Sequence, residues 1–551
     1  MPGLVTKVTD TIGAAGVMFR AGLVPFPRLD RGLKSIAAVD KYGPFAGPVH
    51  AHAENGYDAV AVIDERGPIT YAELERQSNA LVRAWQADGI TSDSVMGAMC
   101  RNHRGLVLTM LAAAKNGTKL VLMNTGFARP QLVDVAAREK VVAFVYDDEF
   151  ADIADALPDD VVVYRSWPEG TAADGSTAAT LDEAIAGRTT SSVPAPEKNG
   201  GFVLLTSGTT GTPKGAPRGH TSPLASAQFL DRVPLRRGQT MMMAAPAFHG
   251  TGVSQFALAL ALGQTVVMHR KFDPENTIKL VAQYKCDSLV VVPTMLTRII
   301  DLGPDVLSKY DTSNLKIIFS AGSSLSPDLC KRVTASFGYV LYNLYGSTEV
   351  AVATVATPED LTIAPGTAGR APVTCHVELF DENNKKITTP HTIGRIFVAS
   401  GLSFEGYTDG RDKERIDGLL STGDVGHFDA NGLLFVDGPR RRHDRLRWRE
   451  RLPARSREPA RRSRGRLGSG SHRSRGRRLR APSASVCRRG PRRRPELRRA
   501  EGSRPVESRA LQGSPRDRLH RRTSPQRHRK AVAPRPDRDG DQRRLSTVTK
   551  R

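Results

Sequence analysis

The chain has scattered cysteines, few aromatics and no long apolar run, and each shortage removes a class of protein. Its five cysteines (Cys100, Cys286, Cys330, Cys375 and Cys487) contain no CxxC pair. A disulfide framework and a zinc finger are therefore not expected, and a reducing cytosol suits the chain. No window approaches ~18 consecutive apolar residues, so no membrane-spanning helix is expected. The first 26 residues are mildly amphipathic, but Asp10 and Arg20 break them and they lack the basic-then-apolar order of a signal peptide. Two readings of this stretch stay open: a helix packed on the core, or one giving peripheral membrane contact. Aromatics make up 6 %, hydrophobic residues 39 % and charged residues 25 %, which suits a globular chain and excludes a collagen or a fully disordered one. A length of 551 residues predicts more than one domain.

Acid is scarce only in one place. Residues 439–551 carry 38 arginines and two lysines against ten acids, a net of +30. The preceding 438 residues hold 40 bases and 47 acids, a net of −7, so the whole excess of +23 sits in the last fifth of the chain. The same tail has no Ile, Met, Phe or Tyr, and a single aromatic, Trp448. Such a composition cannot bury a normal core, and a disordered or misfolded tail is expected. The chain divides into an N-terminal extension (1–50), a body (51–438) and an arginine-rich tail (439–551).

The body reads as alternating α/β. Apolar β-rich runs at 161–164, 202–205, 265–268, 288–292, 316–319 and 339–342 predict buried strands. Between them, residues 71–86, 105–116 and 277–284 have apolar positions at helical spacing. This alternation predicts stacked or mixed sheets covered by helices. No repeat of fixed period is present.

Three segments carry chemistry. The first is Thr206-Ser207-Gly208-Thr209-Thr210-Gly211-Thr212-Pro213-Lys214-Gly215, which follows an apolar run. Its glycines let backbone N–H groups approach a phosphate, its hydroxyls add donors, and Lys214 adds a point charge. The Walker spacing is absent, because Gly215 follows the lysine. A polar hairpin turn is the plain alternative. The second is Tyr342-Asn343-Leu344-Tyr345-Gly346-Ser347-Thr348-Glu349, placed where strand ends take ligands in open α/β sheets. A tyrosine face there can stack on a purine, and Thr348 and Glu349 can meet a hard cation through oxygen. A helix-start carboxylate is the plain reading of Glu349. The third is Ser421-Thr422-Gly423-Asp424, whose carboxylate can accept two ribose hydroxyls; it is also a common turn.

In this order the three segments resemble the adenylate-forming superfamily, over about residues 50–438. Pro246-Ala247-Phe248-His249-Gly250-Thr251-Gly252, Val292-Pro293-Thr294-Met295-Leu296 and Ser320-Ala321-Gly322-Ser323-Ser324-Leu325 are similar to its bacterial fatty-acid–CoA ligase branch. The resemblance implies a large multi-subdomain α/β domain of stacked mixed sheets with a small β-subdomain. It also implies an AMP-forming acid–thiol ligase in the cytoplasm, with ATP and Mg²⁺, coenzyme A as co-substrate, and a fatty acid or other hydrophobic carboxylic acid as substrate. By position, Thr206, Ser207, Gly208, Thr209, Thr210, Gly211 and Lys214 are expected around the phosphates, and Gly322, Ser323, Ser324, Asn343, Tyr345 and Gly346 around the adenine. Thr348 is expected at the α-phosphate, Glu349 and Thr209 at the magnesium, and Asp424 at the ribose. His249 stands beside the acyl carboxylate in similar ligases; a core histidine held by backbone is its plain reading. Phe248-His249 offers no aspartate for a substrate amine, which disfavours an amino acid.

The family continues with a C-terminal domain of about a hundred residues, with an arginine and an acidic hinge, a glycine turn and a catalytic lysine. The tail has the right length and the wrong sequence. A reading shifted by one base accounts for both. Trp448 is encoded only by TGG and an arginine codon begins with C or A, so the shifted codon is glycine. With synonymous codons chosen freely, Arg440 to Pro459 becomes Asp-Asp-Asp-Met-Ile-Val-Ser-Gly-Gly-Glu-Asn-Val-Phe-Pro-Arg-Glu-Val-Glu-Asn-Leu, close to the family's hinge and turn. In the same frame Ala510 to Lys530 ends in Asn-Ala-Thr-Gly-Lys, as the family's lysine segment does. One extra base near the codons for Gly438 or Pro439 is the implied lesion. In the chain as written, the expected ribose arginine is Pro439, and Lys530 is not the family's lysine. Adenylation is expected to be impaired and thioester formation nearly abolished. Two further readings remain. One is a binding remnant that retains ATP and acyl sites. The other is a basic-tailed nucleic-acid binder, against which the absence of interleaved aromatics argues, so no specific nucleic acid is expected.

Overall fold

The computed structural model describes residues 4–24, 27, 29–169, 178–206, 214–218, 226–401, 406–407 and 412–439. The expectations for the tail therefore lie outside the described residues. Everything below concerns the unit that precedes it.

The first sheet has six strands in the order Val162–Trp167, Ala143–Asp147, Val95–Met99, Lys119–Leu122, Phe202–Thr206 and Lys214–Arg218. Its neighbours are parallel except for the last pair, an antiparallel hairpin. The second has eight, in the order Thr354–Ala356, Leu341–Tyr345, Ile317–Ala321, Ser288–Val291, Thr240–Met243, Thr265–Met268, Val60–Asp64 and Gly67–Thr70. It is parallel inside and antiparallel at both edges. Parallel strands are covered on both faces, so they read as unbroken apolar runs. Alternate residues nevertheless serve different cores. Met241 and Met243 join the core between the sheets and Met242 the outer one; Phe319 and Ile318 divide in the same way. A small antiparallel sheet is built from His376–Phe380, Lys386–Ile387, Gly394–Ala399, Arg415–Ile416, Leu419–Phe428 and Leu434–Pro439.

Local signals set the helix ends. Thr70 Oγ1 accepts from the Glu73 amide to start Tyr71–Ala87, and Asp273 caps Pro274–Gln283 through the Asn276 amide. Gly117, at φ 72°, closes Arg104–Asn116 in the left-handed region.

The N-terminal helices are part of the core. In Leu4–Ala21, Ala14, Val17, Met18 and Ala21 are buried, which is the core-packed reading of this stretch, while Ile12 and Phe19 are exposed. Leu29–Glu54 runs through residue 50 and contributes Tyr42, Phe45, Ala46 and Val49 to the core between the sheets. It folds sharply at Gly43 (φ 77°), and its two arms pack so closely that a Cβ on Gly47 would lie 2.6 Å from Val39 Cα. Among the described residues no helix is long and apolar enough to cross a membrane, and the four described cysteines are buried free thiols.

Candidate active site

The carboxyl ends of the parallel strands in the second sheet converge on one cavity of ≈ 1040 Å³. Ala245, Val292, Ala321, Gly322, Leu344 and Gly346, at or just beyond four strand ends, line it, as do Leu204 and Leu205 from the first sheet. Loop geometry at this edge is dictated by small residues. Gly322 has φ +97°, and a Cβ on Gly346 would lie 1.9 Å from the Ala351 carbonyl oxygen. That close approach, with the Ala351 amide bonded to the Ser347 carbonyl at 2.8 Å, forms the turn that presents Thr348 and Glu349 to the cavity.

Glu349 is buried and stays ionised. Burial alone would push its pKa up. The Lys413 ammonium, 3.5 Å from Oε1, and hydrogen bonds from Tyr407 and Ser347 outweigh it and hold the carboxyl below the usual range. Lys413 also donates to the Thr422 carbonyl at 3.0 Å. Asp424 responds in the opposite sense. Its burial, with the Glu349 charge, raises its pKa against the pull of Tyr345 and Lys413. Tyr345 Oη donates to Asp424 Oδ2 at 2.8 Å, so the second and third motifs meet directly. Burial and the Asp424 charge push the Tyr345 phenol up in turn. Position 439, where an arginine is expected, is Pro439, opposite Asp424 in the strand register.

His249 precedes the helix Gly250–Ala261 and reaches solvent through the cavity. Its ring makes no hydrogen bond to described residues, unlike a core histidine tied to backbone; it packs on Phe248, with ring centroids 4.5 Å apart. Desolvation lowers its pKa, so the ring is neutral at physiological pH. Asn343 is buried beneath this edge, donates to the Thr367 carbonyl at 3.3 Å and leaves Oδ1 without a partner among the described residues. Ser323 and Ser324 are exposed and, unlike Gly322, do not line the cavity. Thr206 and Lys214 end and begin the hairpin strands. The connection between them, with Ser207, Gly208, Thr209, Thr210 and Gly211, lies outside the described residues.

The cavity thus has a polar end at Ser347, Thr348, Glu349 and Lys413. Apolar side chains, among them Phe45, Phe127, Phe202, Val253 and Leu258, make up much of the rest, interspersed with Ser35, Asn124, Gln131, Ser226 and Ser254. Among the described residues no three His, Cys, Asp or Glu side chains cluster as a metal site. Tyr407 and Lys413 are not candidates in the sequence, because they lie between the strands Gly394–Ala399 and Arg415–Ile416 and only tertiary folding brings them to Glu349.

Residues 49–408 match the family described as AMP-binding enzyme. The chain belongs to this family. The AMP-binding enzymes are ligases that use ATP and coenzyme A on carboxylate substrates. Among curated relatives, an indoleacetate–CoA ligase of Aromatoleum aromaticum is 30 % identical over 404 residues, 71 % of this chain and 76 % of that protein. A fatty acid–[acyl-carrier-protein] ligase, ScoC, of Streptomyces coeruleorubidus is 25 % identical over 404 residues, 70 % of this chain and 75 % of that one. The inhibitor-bound N-terminal domain of FACL13 from Mycobacterium tuberculosis has the same fold. It superposes with a TM-score of 0.63 at 22 % identity, over 72 % of this chain and 99 % of that domain.

Proposed function

We propose that the body activates a hydrophobic carboxylic acid, a fatty acid in the first place, with ATP. A carboxylate oxygen attacks the α-phosphorus, the bond to the bridging oxygen breaks, and pyrophosphate leaves with the electron pair. A coenzyme A thiolate then attacks the acyl carbon and AMP departs. The observation that carries this reading is the cavity at the strand ends, polar and charged at Thr348 and Glu349 and lined over much of the rest by apolar side chains. An acid with an apolar body suits it in both halves.

In this reading Lys214, Thr206, Ser207, Gly208, Thr209, Thr210 and Gly211 wrap the phosphates with backbone N–H groups, hydroxyls and one ammonium. Thr348 meets the α-phosphate, and Asp424 accepts from the ribose. Gly322, Ser323, Ser324, Asn343, Tyr345 and Gly346 frame the adenine. Neutral His249 orients the acyl carboxylate. A single ionised carboxylate suits Mg²⁺, which usually shares its shell between one or two carboxylates and substrate phosphates. Glu349, with Thr209, would hold it, and the ion would neutralise phosphate charge. The test is ATP–pyrophosphate exchange with a panel of straight-chain and aryl acids. Exchange with aryl acids alone would refute the fatty-acid assignment.

A second reading concerns the chain as written: a ligase body that retains its binding sites and has lost most of its turnover. Pro439 opposite Asp424 supports it, since a proline offers the ribose no cation and no N–H donor. Sequencing across the codons for Asp437 to Arg442, with the intact mass of the natural protein, tests it. If one base is absent from the true gene, the second reading falls. If the 59.8 kDa chain is the natural product, removing that base by design should restore acyl-CoA formation.

A further inference from the structure

The family match begins at residue 49, yet the cavity does not stop there. Ile36, Val39 and Phe45, all upstream of the match, stand in its wall. They come from both arms of Leu29–Glu54, on either side of the fold at Gly43. The first arm contributes half-buried Ile36 and Val39, and the second contributes buried Phe45.

The route between the reactive end and this wall follows one helix. Gly250–Ala261 begins at His249, and Val253, Ala257 and Ala261 line the same cavity at three-to-four spacing. Its distal half is where the N-terminal helix docks. Phe45 packs on Phe256 with ring centroids 6.5 Å apart, and His52 Nε2 lies 3.1 Å from the Leu260 carbonyl oxygen. From Gly250 to Ala261 the axis rises roughly 16 Å. An extended hydrocarbon advances about 1.3 Å per carbon, the zigzag projection of a ~1.5 Å bond. The lined stretch therefore matches about a dozen carbons.

We propose that the two arms of the N-terminal helix form the end wall of an acyl channel, and that Ile36, Val39 and Phe45 set the longest straight-chain acid the body accepts. This rests on the carboxylate-activating reading and names its substrate class and its length gauge. Ala257 stands part-way along the channel, so enlarging it blocks sooner than enlarging Val39.

The experiment measures displacement of a fluorescent fatty acid from the full chain by saturated acids from butanoate to hexadecanoate. Three variants are compared with the parent: Ala257→Phe, Val39→Phe and Val39→Ala. The parent should bind more tightly with each carbon up to about dodecanoate, by about fourfold per buried methylene. Val39→Phe should leave hexanoate unchanged and weaken dodecanoate by about tenfold, the loss of between one and two methylenes. Ala257→Phe should move the cut-off to still shorter acids, and Val39→Ala should move it to longer ones. The opposite shifts from Val39→Phe and Val39→Ala separate a gauge from a folding defect. Fatty acids that bind while every variant keeps the parent's ratio of dodecanoate to hexanoate would overturn the wall and leave the ligase reading standing. Binding of indoleacetate with no fatty acid bound would overturn the channel and the fatty-acid assignment together.

Discussion

Lys115 is among the largest fully buried side chains of the body, and removing it should expose how the N-terminal wall is held. Its ammonium lies 2.7 Å from Glu75 Oε2 and donates to Ser78 Oγ at 2.8 Å and Asn79 Oδ1 at 2.7 Å. Glu75 Oε1 in turn bonds His50 Nδ1 at 3.1 Å. One ion pair and one hydrogen bond thus join the helices Arg104–Asn116, Tyr71–Ala87 and Leu29–Glu54 through Glu75. Burial drags the Lys115 pKa down to about 8 against the pull of Glu75, yet the group still carries its charge at neutral pH. Lys115→Met keeps the volume and strands a buried carboxylate, a loss of about 3–5 kcal/mol. At roughly 2 °C per kcal/mol, the melting midpoint should fall by about 8 °C. Lys115→Met combined with Glu75→Gln should recover more than half of that, because a neutral pair leaves no stranded charge. Calorimetry of the four proteins of the cycle reads both quantities. A single variant that loses less than about 1 kcal/mol, or a double variant no more stable than the single, refutes the account.

The remaining predictions concern the site and the helical fold above it. The raised pKa of Asp424 means that the folded state binds more proton than the unfolded chain between the ordinary value of 3.8 and the raised one. Stability is therefore lost as pH rises through that window, and the full penalty persists above it. Asp424→Asn should gain on the parent in urea midpoint from pH 4 to pH 7 while binding ATP more weakly; a gain that shrinks with rising pH contradicts this. Glu349→Gln, made in the chain with the repaired frame, should slow pyrophosphate exchange by about 100-fold or more. Exchange within twofold of the parent would remove Glu349 from the mechanism. Gly47→Ala forces a Cβ to within 2.5 Å of the Ala38 carbonyl oxygen and should cost about 1–3 kcal/mol in thermal or urea unfolding. An unchanged midpoint would mean that the two arms are not pressed together.

Much of the body was legible because buried parallel strands leave unbroken apolar runs. The expected strand at 265–268 is Thr265–Met268 and the one at 288–292 is Ser288–Val291. The run at 339–342 misled by two residues. Tyr339 is 70 % exposed, and the ladder starts only at Leu341, beyond Gly338, which ends the preceding helix. The kinked helix Leu29–Glu54 was not legible, because Gly43, Pro44 and Pro48 read as breakers and only tertiary packing makes them an elbow. Gly346, Thr348 and Glu349 line the cavity from a tight turn at a strand end, which has a local signature in the sequence. Tyr407 and Lys413 have none. They reach Glu349 from more than fifty residues downstream, and no spacing rule spans such a gap.

The small sheet takes its last ladder from Leu434–Pro439, paired with Leu419–Phe428. Every strand pair among the described residues therefore has both its strands once residue 439 has left the ribosome. Domains generally fold as units during synthesis, the N-terminal one first. A slip of reading frame at that point would change the last residue of this ladder and what is joined to the body while leaving the earlier pairs in place, so one lost or gained base here would divide assembly from turnover within a single gene.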